Sequence, residues 1–244
     1  MKTLYLDCSF GVAGDMVLAA LADLAAKVDN GPDMDFLAAS FRAMNLTSRI
    51  EAVSEVRDGK PGRCLIIEEI SSQPLRHLPE ILDVLMALPL SPKVQARSAR
   101  AFERLAEVEA AVHEVPVDTI HFHEVGAVDT IIDVAGAFWA LDKLGVERVV
   151  STPLPWFTGY VDCSHGRLEL PAPATRKLMQ GKPTYETDFV GEMITPTGAL
   201  LIDQLVQEFV DAPGGDAGEV VARGLGYGTR ETGGGLELRL AQSC

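Results

Sequence analysis

From Val128 onward the apolar residues Val128, Ile131, Ile132, Ala135, Phe138 and Trp139 recur at helical spacing, and that register constrains everything near it. It places Asp129 and Asp133 one turn apart on one helix face. The same row continues with Gly136 and Ala140, where a solvated face would normally carry Lys, Glu or Gln. Small residues in that row suit close packing against another element. The two aspartates are therefore expected at the start of a covered helix face, not as ordinary first-turn acids turned to water.

Directly upstream runs His121-Phe122-His123-Glu124-Val125-Gly126-Ala127-Val128-Asp129, two imidazoles and two carboxylates in one short stretch. In an extended segment side chains alternate faces, so His121 and His123 share one side while Phe122 and Val125 are free to be buried on the other. Gly126 lets the backbone turn into the helix. Imidazole and carboxylate together suit a borderline divalent metal such as nickel or zinc. His121, His123, Glu124, Asp129 and Asp133 are the candidate ligands.

The rest of the chain alternates strand and helix patterns, which predicts an α/β (α+β) fold with a small N-terminal α/β unit, a helical middle and a second mixed α/β unit. At 244 residues it is long enough to bury a real core. Leu4 to Cys8 reads as a strand, Gly11 to Gly14 as a turn, and Asp15 opens a helix to about Lys27. A helix around Asp35 to Met44 leads to strands at Ile50 to Arg57 and Arg63 to Glu68, joined by a long hairpin loop at Asp58 to Gly62. Helices follow at Leu78 to Met86 and, capped by Ser91 with Pro92 in its first turn, to about His113. After the Val128 to Leu144 helix come short strands at Val149 to Thr152, Gly166 to Leu170, Pro183 to Tyr185, Glu219 to Arg223 and Leu236 to Leu240, with a mobile loop expected at Asp211 to Gly218. The division expected is residues 1–72 and 73–244.

Cys8, Cys64, Cys163 and Cys244 are far apart with no Cys-x-x-Cys pair, which reads as reduced thiols in a cytoplasmic protein. Charge interrupts every longer apolar stretch, so neither a signal peptide nor a membrane span is expected. A net charge of -14 opposes binding to a phosphate backbone, and nucleic acid is not an expected partner.

Three further segments carry candidate chemistry. Gly11-Val12-Ala13-Gly14-Asp15 is a glycine turn into a helix N-terminus, where Gly14 and Asp15 would meet an anion or a magnesium ion, with Asp7 as a neighbour; a plain helix cap explains Asp15 as well. In Thr195-Pro196-Thr197-Gly198, Thr195 and Pro196 are also what a helix start requires, while Thr197 and Gly198 suit a phosphate. Gly224, Gly226 and Gly228 alternate between Arg223 and Arg230, a density that lets backbone approach a ligand and gives Arg230 a phosphate or carboxylate to grip, or else marks a bulged hairpin. His165, a lone loop histidine, is a candidate to complete a metal site begun by His121 and His123. His77 and His113 are assigned to the surface or to helix packing.

Taken in order, these segments resemble the LarC family, the nickel insertion proteins of nickel-pincer cofactor synthesis. The resemblance is carried by Leu6-Asp7-Cys8 with Gly11 to Met16, His121 to Asp129, Ser164-His165-Gly166-Arg167-Leu168, Leu170 to Thr175, Thr195 to Ala199 and Gly226 to Arg230. It spans nearly the whole chain. It implies a nickel chelatase that inserts nickel into pyridinium-3,5-bisthiocarboxylic acid mononucleotide, a phosphorylated pyridinium dithiocarboxylate, with CTP and magnesium or manganese. Insertion requires a proton to leave the ring carbon, and His123 or Glu124 are the candidate bases. Members commonly carry a histidine-rich tract before the middle helices. Ser71 to His77 offers one histidine, so a nickel reservoir is not expected here. Full-length members continue into a C-terminal domain that binds the cytidine nucleotide, which makes such a domain on a separate chain an expected partner; a homo-oligomer is compatible with the sequence.

Two other classes fit the same residues. One is a metal-dependent hydrolase of a phosphorylated metabolite, since His and Asp ligands around a bound water suit hydrolysis. The other is a non-catalytic metal or nucleotide carrier, which would bind stoichiometrically without turnover.

Overall fold

A computed structural model of the chain describes residues 1–70, 77–122, 128–163, 166–211, 218–229 and 232–243. In chain order the elements are β1 (Lys2–Asp7), α1 (Gly14–Ala25), α2 (Met34–Ala43), β2 (Thr47–Arg57), β3 (Lys60–Glu69), α3 (Leu78–Ala87), α4 (Pro92–His113), α5 (Val128–Leu144), β4 (Arg148–Ser151), β5 (Leu154–Thr158), β6 (Tyr160–Cys163), β7 (Gly166–Glu169), α6 (Pro173–Met179), β8 (Thr184–Val190), α7 (Pro196–Leu205), β9 (Glu208–Phe209), β10 (Glu219–Tyr227) and β11 (Leu236–Gln242). The mixed α/β class is as expected. β5, β6, β9 and α6 add to the elements read from the sequence. The Asp211 to Gly218 loop lies, apart from its two ends, outside the described residues.

Among the described residues one seven-stranded sheet has the order β2-β3-β10-β11-β1-β4-β9. β10 and β11, from the end of the chain, insert between β3 and β1, so segments 1–72 and 73–244 share one sheet. β1 lies between β11 and β4, and Thr3, Leu4, Tyr5 and Leu6 are all buried, the near-continuous burial of a strand covered on both faces. β5 with β8 and β6 with β7 form two small ribbons beside this sheet.

The β2–β3 hairpin corrects one expectation. Asp58 and Gly59 both take positive φ, +49° and +75°, and close a two-residue turn, while Pro61 and Gly62 already pair with Val56 and Glu55. Pro61 is tolerated because β10 pairs with β3 only at Arg63 and Cys64, which leaves that edge of Pro61 without a strand neighbour.

α1 lies on the face of β10, and the alternating glycines of β10 explain how closely. A Cβ at Gly224 would fall on the Ala20 carbonyl oxygen, and one at Gly226 on the Met16 carbonyl oxygen. The bare backbone therefore receives a helix where the sequence reading offered a ligand. Asp23 locks the same contact, its carboxylate accepting from Leu225 N–H at 2.9 Å and from Lys27 Nζ at 2.7 Å. Arg223 faces the other way, pairing with Glu237 at 3.0 Å.

α5 crosses α1 and is buried almost all round, as Gly136 and Ala140 anticipated. A side chain at Gly136 would press on Leu18 and Leu37. Ser91 Oγ accepts from Val94 N–H at 3.3 Å and opens α4, with Pro92 in its first turn, as expected.

Candidate metal and substrate cleft

α1, α5 and α7 turn their N-terminal ends into one cleft of about 490 Å³. Ala13 to Met16, Asp129 with Thr130 and Asp133, and Thr195 to Thr197 form its walls, with Glu69 at the end of β3 and Asp162 on β6 at its margin. Helix N-termini present unpaired N–H groups and a partial positive charge, which ordinarily favours an anion. Here the lining also carries Asp15, Glu69, Asp129, Asp133, Asp162 and Glu192, and among the described lining residues there is no Lys, Arg or His. Three positive helix ends temper the mutual repulsion of these carboxylates. The surplus negative charge suits a divalent cation, or a cation that carries an anionic ligand with it.

The depth of each carboxylate differs. Asp133 is only 7% exposed, and its Oδ1 has no hydrogen-bond partner among the described residues. Burial pushes its pKa well above the ordinary carboxylate range, and the nearby charges of Asp15 and Asp129 push it further in the same direction. Asp15 is half-buried. Burial raises its pKa too, opposed by hydrogen bonds that its carboxylate accepts from Thr229 N–H at 3.1 Å and Met16 N–H at 2.8 Å. Asp129 is exposed at the mouth, where its carboxylate accepts from Thr130 N–H at 2.6 Å. Its own main-chain N–H donates to Glu69 at 3.3 Å, and the Glu69 pKa is raised by burial.

The other candidates have definite places. Gly14 packs so tightly on Asp133 that a Cβ there would strike Oδ2, and would lie 2.6 Å from Thr197 Cγ2. Thr195 caps α7, its hydroxyl accepting from Gly198 N–H at 3.1 Å, while a Cβ at Gly198 would overlap the Val12 carbonyl. Thr197 is buried against the cleft. Asp7 is not among the cleft-lining residues: it holds Ser9 Oγ at 2.6 Å and lies 4.0 Å from Arg239. His121 is exposed, and its ring meets His77, centroids 4.0 Å apart. His123, Glu124, His165 and Arg230 lie outside the described residues. Among the described residues no three His, Cys, Asp or Glu side chains stand close enough to form a ligand cage. Glu69, Asp162 and Glu192 were not read from the sequence, where each is one acid among many. His113, assigned to the surface or to helix packing, lies 3.6 Å from Glu109 one turn back on α4.

The model of the nickel insertion protein family matches residues 4–241. Counterparts named for nickel insertion include one from Geobacter sp. (strain M21), 40% identical over 95% of this chain and 58% of its own length. One from Thermomicrobium roseum is 42% identical over 95% and 55%, and one from Syntrophobacter fumaroxidans 38% identical over 93% and 56%. The chain thus spans a little over half the length of these relatives. No solved structure matches it. Among the described residues no helix is long and apolar enough to cross a membrane. With one family model covering the chain nearly end to end, and relatives at this identity over nearly all of it, the chain belongs to the nickel insertion protein family.

Proposed function

We propose that the cleft at the ends of α1, α5 and α7 receives nickel as cargo and inserts it into pyridinium-3,5-bisthiocarboxylic acid mononucleotide, the reaction of a nickel chelatase. The observation that carries this reading is Asp133: a buried carboxylate oxygen without a hydrogen-bond partner among the described residues is costly, and a cation on the cleft side offsets that cost. Asp15 and Asp129 line the same cleft at the helix ends and would have to close on the ion, with His123, Glu124 and His165 as the nitrogen and oxygen donors that would complete the set. The N–H of Thr197 itself, next to Pro196, which has none, and Gly198, whose N–H is held by Thr195, would meet the substrate's phosphate. In the chemical step the ring carbon–hydrogen bond breaks, its electron pair becomes the carbon–nickel bond, and the proton passes to a base while two sulfurs bind the metal. No electrons are gained or lost. Asp133 joins His123 and Glu124 as a candidate for that base, since it lies on the cleft wall with an oxygen to spare.

CTP with magnesium or manganese belongs to this reading through the family, with the nucleotide site on the C-terminal portion, supplied by a longer chain or a partner. A cytoplasmic setting accords with the free thiols Cys8 and Cys64. The test is to combine the chain, the C-terminal portion, substrate, nickel, CTP and magnesium and to follow the nickel-containing product by mass spectrometry. Product formation lost in Asp133→Ala supports the proposal, and formation at the unaltered rate overturns it.

One observation favours a second reading. Apart from the thioethers of Met16 and Met193, the described lining offers only oxygen donors, which suit magnesium or manganese and a phosphate-releasing hydrolase. Phosphate release from phosphorylated metabolites with manganese, and no response to nickel, would select it.

A further inference from the structure

His77 and His121 come from segments far apart in sequence, yet their rings meet at a centroid distance of 4.0 Å with planes inclined by 56°. Each backbone is fixed independently. The main-chain N–H of His77 donates to the Glu80 carboxylate at 3.2 Å at the start of α3. His121 stands exposed between the buried side chains of Ile120 and Phe122, which pin the backbone on either side of it. The same two segments meet once more, at the cleft: Glu69 lies eight residues before His77, Asp129 eight after His121, and the Asp129 N–H donates to the Glu69 carboxylate.

Each neutral imidazole carries one lone-pair nitrogen, and two rings in contact need only turn about their own side-chain bonds to bring one such nitrogen each to a shared ion. Imidazole nitrogens suit nickel, zinc and copper, whereas magnesium, calcium and manganese prefer oxygen. Two protein ligands leave the remaining coordination positions to water. A metal so held exchanges readily, which suits transit better than storage. We propose that His77 and His121 form a two-imidazole docking site for a borderline divalent cation, through which nickel reaches the carboxylates of the cleft. This deepens the nickel reading of the cleft and rests on it for its direction of transfer, while the docking site itself stands on the histidine pair.

The experiment uses the untagged chain, nickel chloride alone, calorimetry, and nuclear magnetic resonance of the histidine rings. His77→Phe keeps a ring against His121 and removes the nitrogens, and His77→Gln serves as a second variant should phenylalanine fail to fold. In the wild type, nickel below one equivalent is expected to broaden the His77 and His121 ring signals together, and magnesium in excess to leave them unchanged. In His77→Phe the affinity of that site falls on the order of tenfold or more, the magnitude already seen when only a supporting partner of a metal ligand is lost. His121 broadening goes with it, while the metal-free melting temperature is kept. Unaltered affinity and broadening in both variants overturn the proposal. Asp133→Asn separates the two readings: loss of cleft binding there with wild-type behaviour in His77→Phe removes the docking pair and leaves the cleft standing. Wild-type nickel binding in Asp133→Asn with loss in His77→Phe does the reverse.

Discussion

The bare Cα of Gly14 faces the carboxylate of Asp133 across the crossing of α1 and α5, with no room for a Cβ between them. The first residue of one helix thereby defines the space occupied by the acid of another. Gly14→Ala gains helix propensity, worth up to about 1 kcal/mol, but must displace Oδ2 of Asp133 or the Thr197 methyl. Overpacking of this kind costs about 1–3 kcal/mol. The expected result in denaturant unfolding is a net loss of stability together with weaker nickel binding. A more stable protein with unaltered nickel binding would show that the contact yields freely.

The pKa of Asp133 is raised by burial and by Asp15 and Asp129, so the sign of its pH effect is fixed. A carboxyl group whose folded pKa exceeds its unfolded value, about 3.9, contributes stability that is complete below the unfolded pKa and is lost as pH rises through the folded one. Metal-free wild type is therefore expected to lose stability through this group as the pH rises above about 4. Asp133→Asn removes that loss, leaving the variant more stable than wild type at pH 8 by about 1–3 kcal/mol, or about 2–4 °C per kcal/mol in melting temperature. Parallel pH profiles for the two proteins would contradict this.

Nickel should invert that order. Because a ligand that binds only the folded state stabilises it by mass action, wild type is expected to gain melting temperature with added nickel chloride, and Asp133→Asn to gain less. Equal gains would place the metal elsewhere.

Gly226→Ala tests the seat of α1. Its Cβ would fall on the Met16 carbonyl, which has no flexible end to move aside, so α1 must lift and carry Asp15 with it. The expected cost is about 1–3 kcal/mol, with the hydrogen bond between Thr229 N–H and Asp15 weakened. Amide hydrogen exchange at Thr229 checks this: faster exchange is expected, and unaltered exchange with full stability would contradict the close packing.

The Val128 helix was legible from sequence because its apolar spacing and its small residues at 136 and 140 are local signals. The Ser91 cap and the Thr195 cap were legible for the same reason. The glycines of β10 were not, since glycine density says only that backbone comes close to something; here α1 occupies the space that a ligand was expected to fill. The proximity of Asp15 to Asp133, and of His77 to His121, joins segments remote in sequence, and no spacing rule reaches across them. Short strands such as β9 depend on their sheet neighbours for existence, so their sequences carried little pattern.

The most direct measurement is nickel titration calorimetry on wild type and on Asp15→Asn/Asp133→Asn, each first shown to be folded. The cleft as the nickel site predicts that the double variant loses affinity on the order of tenfold or more, as removal of metal ligands requires. An unaltered dissociation constant would contradict it and move the metal away from these helix ends.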